Sequence, residues 1–558
     1  MDDKSYQTDV LIVGSGGGGM TAALVAHDAG LKTLAVEKTP YYGGSTARSG
    51  GGIWVPNNYL MRQAGVEDSL DSARTYMQAT IGNRTPQASQ DAYLYNGGPM
   101  IEWLRDHSDL KCRYMPGYPD YYPEKPGGMA QGRAVEAELF NGKLLGSDLA
   151  QLNPPFIEVP GGMAFTASEY HSLGMVMRTW QGKVTVMRIG MRLIWHKLTG
   201  KKTLMMGQAL IARLRLSLKK RNIPLWLNTP LKELILENGR VVGAQVERDG
   251  KPLSIYARKG VILAAGCFAH NLEMRLKYQK HPITTEWTTA SPGNTGDAIL
   301  AGMRIGAAVD LMGEAWWGPT TKPPGKPPFF HVGERGYPGL IMVNQKGQRF
   351  TNESASYVEV VQVMYQKHTE QNPHIPCYFI FDQRYRNNYL FGRLFPRQPI
   401  PREFLQNGYI KKADSLEKLA GLLGMDHSVL VETVQRFNGF AKSGKDLDFG
   451  RGDSTYDNYY GDRTVKPNPN LAPLKKAPFY AVEVVPGDLG TRGGLVTDEF
   501  ARVRRQDGGI IEGLYCVGNN AASVMGTTYP GPGCTIGASM IFGYIAARHA
   551  AGINVHSG

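Results

Sequence analysis

Asp9-Val10-Leu11-Ile12-Val13-Gly14-Ser15-Gly16-Gly17-Gly18-Gly19-Met20 is the most informative run in the chain. Its first five residues form a short β-branched stretch, and a helical pattern follows through Met20, Ala23, Leu24 and Ala29. Between them the glycines match G-x-G-x-x-G: Gly14 for a tight turn, Gly16 for close backbone approach to a pyrophosphate, Gly19 for close helix-to-strand packing. With Ser15 in the turn, the helix N-terminus then offers free N–H groups to phosphates. A second strand, Thr33 to Val36, runs into Glu37 and Lys38, which puts a carboxylate where ribose hydroxyls need an acceptor. Strand, turn, helix and terminal acid in this order predict a dinucleotide site on an α/β, Rossmann-like domain. A glycine-rich surface loop would not carry that context.

Around this motif lies a chain of 558 residues, 42% hydrophobic and 20% charged, values that suit a large globular core and argue against disorder. Glycine is in excess at 68 residues, with no collagen period. The net charge is 62 − 49 = +13, and it is not spread evenly. Residues 170–221 hold twelve Lys and Arg and no Asp or Glu, so the remainder balances at 50 against 49. On a helical wheel from Val184 to Leu198, Arg188, Arg192 and His196 form a basic stripe beside an apolar face of Val184, Met187, Met191, Ile194, Trp195 and Leu198. That pattern predicts an interfacial helix, with residues 175–206 touching lipid headgroups, rather than a nucleic-acid surface. Five scattered cysteines argue against a disulfide framework or a zinc site, and the histidines form no ligand spacing, so no metal is expected. Met1 to Lys4 lack a basic leader region and no apolar run reaches spanning length. The expected location is the cytoplasm, either free or peripheral on the inner face of the cytoplasmic membrane.

Three further stretches give the motif a family context. Gly43-Gly44-Ser45-Thr46-Ala47-Arg48-Ser49-Gly50-Gly51-Gly52 resembles the second glycine stretch of the fumarate reductase and succinate dehydrogenase flavoproteins. The resemblance implies FAD rather than NAD, held in part by Gly44, Ser45, Thr46, Ser49, Gly50 and Gly51. Covalent members carry the flavin on a histidine here; its absence implies non-covalent FAD. Lys259 to Gly266, ending Ala265-Gly266, resembles the strand that closes the first part of the FAD domain. Gly513 to Asn520 resembles the last FAD strand, with Gly518 and Asn519 at the flavin. The implied architecture is a discontinuous FAD domain, residues 1–280 and 480–558, with an inserted α+β substrate domain at 281–479. Within the insert, Asp414-x-x-Glu417 predicts a helix start through a capping box, and Arg451-Gly452-Asp453 reads as a polar loop.

Thr528-Tyr529-Pro530-Gly531-Pro532-Gly533 narrows the family further, because it resembles the signature of the 3-ketosteroid Δ1-dehydrogenases. Asp120 to Glu124, Arg349 to Tyr357 and Asp488 to Asp498 extend the match over nearly the whole chain. The resemblance implies that the Tyr529 hydroxyl and the Gly533 N–H polarise a steroid 3-ketone, as an oxyanion hole does. It implies that Tyr357 takes the C2 proton beside Tyr121, with Tyr122 an alternative for Tyr121, while FAD accepts hydride from C1. An external electron acceptor, a quinone or other, would complete the cycle in steroid degradation. Because a phenol is a weak base at neutral pH, an alkaline optimum is expected. The alternatives are a Δ4-(5α)-3-ketosteroid dehydrogenase, a fumarate-reductase-like flavoenzyme, or a non-catalytic flavin-binding membrane adaptor.

Overall fold

The computed structural model describes residues 5–156 and 163–555; Met1 to Lys4, read above as lacking a leader, lie outside the described residues. The strand expected at Asp9 to Val13 begins earlier, as Ser5–Val13, and lies inside the sheet, pairing in parallel with Thr33–Val36 on one side and Lys251–Leu263 on the other. The sheet continues in parallel to Ile510–Cys516 beyond Lys251–Leu263 and to Leu225–Trp226 beyond Thr33–Val36. Such strands are covered on both faces and so read as unbroken apolar runs. Val10 and Ile12 enter one core cluster and Leu11 and Val13 the other, as the period of two requires.

The helix Gly17–Asp28 covers the first face and packs on Cys534–Ala550. Glycines let the two backbones touch: a Cβ on Gly543 would stand 2.4 Å from the Gly18 carbonyl oxygen. The C-terminal helix is thus locked to the nucleotide motif, which brings the residues at its own start to the same cavity.

A second, six-stranded sheet forms the inserted domain. Its path is Phe329–Phe330, Ala315–Thr321, Phe479–Thr491, Cys377–Asp382 and Leu340–Val343, with Ile410–Ala413 also on Phe479–Thr491, and every pair is antiparallel. Because Phe479–Thr491 is paired here along its length, the chain returns to the first sheet after Thr491, later than the expected 480. The helical stretch of the insert, expected to break at Gly424-Met425-Asp426, divides there into Leu416–Leu423 and His427–Ser443. Ser415, not Asp414, caps the first by accepting from the Lys418 N–H; left-handed Gly424 ends it and Asp426 caps the second. Arg451 is also not on a polar surface loop. It is fully buried, donating to Glu353 Oε2 at 3.1 Å and to the carbonyls of Leu340 and Tyr337.

The basic segment folds as the helices Ala167–Gly174, Trp180–Leu198 and Met206–Lys220. Much of its charge is answered by acids elsewhere in the chain: Arg178 by Asp462, Arg192 by Glu169, Arg215 by Asp148, Lys220 by Asp109, Arg221 by Asp28. Arg192 and His196 turn inward, the latter to Thr203 at 2.6 Å, so of the expected basic stripe only Arg188 faces out. What faces out is the apolar side, including Trp180 and Leu198, each 78% exposed, with Met187, Met191, Ile194 and Trp195. Among the described residues, no helix is long and apolar enough to cross a membrane.

Candidate active site

A cavity of about 380 Å³ lies between the two sheets. One end is the nucleotide motif. Gly14, Ser15, Gly16, Glu37, Lys38, Gly44, Ser45, Thr46, Ser49, Gly50, Gly51, Ala265, Gly266, Gly518 and Asn519 all line it. Gly19 does not; a Cβ there would meet the Gly14 carbonyl oxygen at 2.2 Å, so it serves helix packing. Gly14 has φ +113° and a Cβ on it would stand 2.2 Å from the Ala264 carbonyl oxygen, a turn only glycine makes. Glu37 is held in place by Ser15, whose Oγ donates to it at 2.6 Å, and by Thr39. Ser45 Oγ accepts from the Ser291 N–H and from Asn294, and Asn520 accepts from the Ala265 N–H, so both glycine-rich turns are tied across the cavity. The helix Gly17–Asp28 opens at Gly16 with no side chain of its first residues capping it. The Gly17 N–H donates to Thr46 Oγ1 at 3.2 Å; the glycine turn, the start of this helix and the fixed carboxylate fit the pyrophosphate and ribose of FAD.

At the other end three phenols converge. The ring centroids of Tyr121, Tyr357 and Tyr529 lie 5.5, 5.4 and 5.1 Å apart for the pairs 121–357, 357–529 and 121–529. The Tyr121 and Tyr357 hydroxyls share a hydrogen bond at 3.0 Å, and Thr535 donates to the Tyr529 hydroxyl at 3.2 Å. Tyr121 lines the cavity, whereas Tyr122 does not. The cage is held by backbone and by buried charge. The Tyr121 N–H and the Tyr76 hydroxyl both donate to the Pro530 carbonyl, tying the 121 loop to the 529 loop. Asp120 accepts from Trp54 Nε1 at 2.8 Å and pairs with Arg133. Arg349 grips Glu353 and Asp446, both buried, and so fixes the turn that delivers Tyr357 to the first position of the helix Tyr357–Lys367.

Gly533, at φ +93°, is the last residue before the helix Cys534–Ala550. A Cβ there would lie 2.3 Å from the Gly52 carbonyl, and its N–H has no protein partner among the described residues. Tyr529 and Gly533 both line the cavity.

Burial pushes the Tyr357 and Tyr121 phenols well above the usual value, and the neighbouring tyrosines add to this; for Tyr357 the bond to Tyr121 opposes it. The Tyr529 phenol is pushed up to about 12, again by burial first. The environment without flavin therefore keeps all three protonated at neutral pH.

Several cavity residues were not read from the sequence. Phe330 packs edge-on against Tyr357 at 5.2 Å, and Tyr118 bonds both Tyr121 and Tyr460. Phe165, Tyr170 and His171 arrive from the basic segment. Tyr118 precedes Tyr121 by three residues, the one local signal available among 28 tyrosines.

The model of the FAD binding domain family matches residues 9–536. A 3-oxosteroid 1-dehydrogenase of Mycolicibacterium smegmatis is 50% identical over 548 residues, 97% of this chain and 96% of that one. The solved structure of a 3-ketosteroid Δ1-dehydrogenase from Sterolibacterium denitrificans, in complex with 1,4-androstadiene-3,17-dione, superposes with a TM-score of 0.91 at 41% identity, covering 98% of this chain and all of that one. A 3-ketosteroid Δ4-(5α)-dehydrogenase from Rhodococcus jostii RHA1 shares the fold, with a TM-score of 0.68 at 20% identity, covering 99% and 98%. The chain belongs to the FAD binding domain family, and within it to the 3-oxosteroid 1-dehydrogenases.

Proposed function

We propose that this chain, a 3-oxosteroid 1-dehydrogenase of steroid degradation, desaturates C1–C2 with Tyr357 as the base for the C2 proton. FAD, bound without a covalent link, supplies the acceptor for the C1 hydride. Tyr529 and Gly533 donate to the 3-keto oxygen, which makes the C2 hydrogen acidic and stabilises the negative charge that forms there. Tyr121 donates to Tyr357 and steadies its phenolate, the form that takes the C2 proton once the phenol has lost its own proton to solvent. The observation that carries this reading is the convergence of the three phenols and the free Gly533 N–H at one end of a cavity whose other end is the nucleotide motif. Walls such as Phe330, Phe165 and Met115 suit an apolar ring system. A second substrate, a quinone or other acceptor, takes the electrons onward. Anaerobic mixing of the FAD-loaded protein with a saturated-A-ring 3-ketosteroid is expected to bleach the flavin and give the 1-ene. Unchanged flavin absorbance, or a 4-ene by mass and absorbance, would overturn the reading.

We propose also that the helix Trp180–Leu198 lies against an anionic membrane surface on the cytoplasmic side. Its exposed apolar face is accompanied by Lys183, Arg188, Lys197, Lys201 and Lys202, which are exposed and make no ion pair among the described residues. An apolar face with flanking cations suits the headgroup layer. The double variant Ile194→Glu, Trp195→Glu is expected to lose co-sedimentation with anionic liposomes while keeping turnover of a dissolved steroid. Equal binding by both proteins removes the idea.

A further inference from the structure

Arg492 stands behind the cavity, not in its lining, and is fully buried. Its Nη1 donates to the carbonyls of Gly526 at 3.0 Å and Thr528 at 2.8 Å, the turn that leads into Tyr529. Its guanidinium lies over Trp316, 4.1 Å from the ring centroid. Trp316 in turn meets the Tyr529 ring edge-on at 5.0 Å and donates from Nε1 to Asn519 Oδ1 at 3.0 Å. Cation, indole and phenol thus form one stack that ends at the carbonyl-polarising hydroxyl.

Nε and Nη2 have no hydrogen-bond partner, and no carboxylate among the described residues pairs with the guanidinium. The acid that bears on it, Glu314, contributes its backbone carbonyl to the Arg492 N–H while its carboxylate accepts from Trp317. The other titratable groups facing it are Tyr122, Tyr529 and Cys534, all neutral when protonated. An unpaired buried cation is expensive, and the cost falls when an anion forms nearby. In the reaction proposed above, that anion forms on the steroid oxygen bonded to Tyr529.

We propose that Arg492 is a positioning residue for the Tyr529 donor: it clamps the Gly526–Thr528 turn and, through Trp316, keeps positive charge behind the phenol as the 3-oxygen gains negative charge. The proposal rests on the role given to Tyr529. It has a signature that a merely structural arginine would lack, because its effect must pass through the Tyr529 hydroxyl.

The test is a double-mutant cycle on the FAD-loaded enzyme, with Arg492→Gln and Arg492→Lys made alone and on Tyr529→Phe. Arg492→Gln is expected to lower kcat by about tenfold to a hundredfold, with KM within about threefold and flavin content unchanged. Arg492→Lys, which keeps the charge but not the fork, should recover part of that loss. On Tyr529→Phe the further loss should shrink to less than about threefold, since both changes act through one hydrogen bond. An equal loss in both backgrounds, or full kcat in Arg492→Gln, overturns the proposal. Where Arg492→Gln fails to accumulate with flavin, the Arg492→Lys cycle is read by the same criteria. A Tyr529→Phe enzyme with unchanged kcat overturns the role of Tyr529 itself, and this proposal with it.

Discussion

The flavin end of the cavity is built mainly from backbone, whereas the phenolic end is built from side chains that arrive from residues 121, 357 and 529. At the first, Gly14, Gly16 and the start of the helix Gly17–Asp28 follow one another within a few residues, and the shape is made by what the side chains leave out. At the second, three bulky rings must meet within 5.5 Å, and buried pairs such as Arg349 with Glu353 and Arg133 with Asp120 hold the loops that carry them. A backbone-made site depends on where glycine stands; a side-chain-made site depends on the whole fold bringing distant turns together. The two ends should therefore fail separately.

Mirror-image variants test that separation, and they carry the largest expected effects. Tyr357→Phe removes the proposed base and keeps the ring, so turnover should fall by about 10³-fold or more while the protein retains its flavin. Gly14→Ala places a Cβ where the Ala264 carbonyl already lies and forces a positive φ on alanine, so flavin should be lost while the phenolic cage keeps its packing. The ratio of flavin to protein absorbance after purification, read beside kcat, separates the two. Loss of flavin in Tyr357→Phe would show that the ends are coupled and would weaken the comparison.

The same contrast explains what could be read from the chain alone. Strand, turn, helix and Glu37 are local in sequence, so that part of the nucleotide end was legible from periodicity and spacing, whereas the second glycine stretch, Ala265-Gly266 and Gly518-Asn519 came from the family resemblance. The phenolic end was reached only because Tyr529 to Gly533 and the motifs around Tyr121 and Tyr357 resemble a family; spacing gives no reason for residues more than 170 apart in sequence to touch. Arg451 and Arg192 show the limit most plainly. Arg451 sits among polar neighbours and Arg192 on a basic stripe, both of which suggest solvent, yet Arg451 is buried against Glu353 and Arg192 turns in to Glu169, acids that local spacing does not pair with them. Trp180 and Leu198 are the converse, apolar residues that no other part of the described fold covers.

Alkaline pH gives a smaller and finer test, since it bears directly on the buried phenols. Tyr529 is raised by burial to about 12, whereas an exposed tyrosine in the unfolded chain titrates near about 10. A folded value above the unfolded one means that this contribution to stability is fully present below about pH 10 and is lost as pH rises towards the folded value. Tyr121 and Tyr357 are raised in the same direction and add to the loss. Turnover has the opposite slope, because Tyr357 must be able to hold the C2 proton and its unprotonated form grows with pH. The enzyme should therefore gain rate on the way up from neutral pH and begin to lose Tm above about pH 10, so that its optimum is set where the two trends cross. Tyr529→Phe removes one of the ionising groups and should show a shallower fall of Tm over that window. An identical slope in variant and parent would mean that the Tyr529 phenol does not control alkaline unfolding.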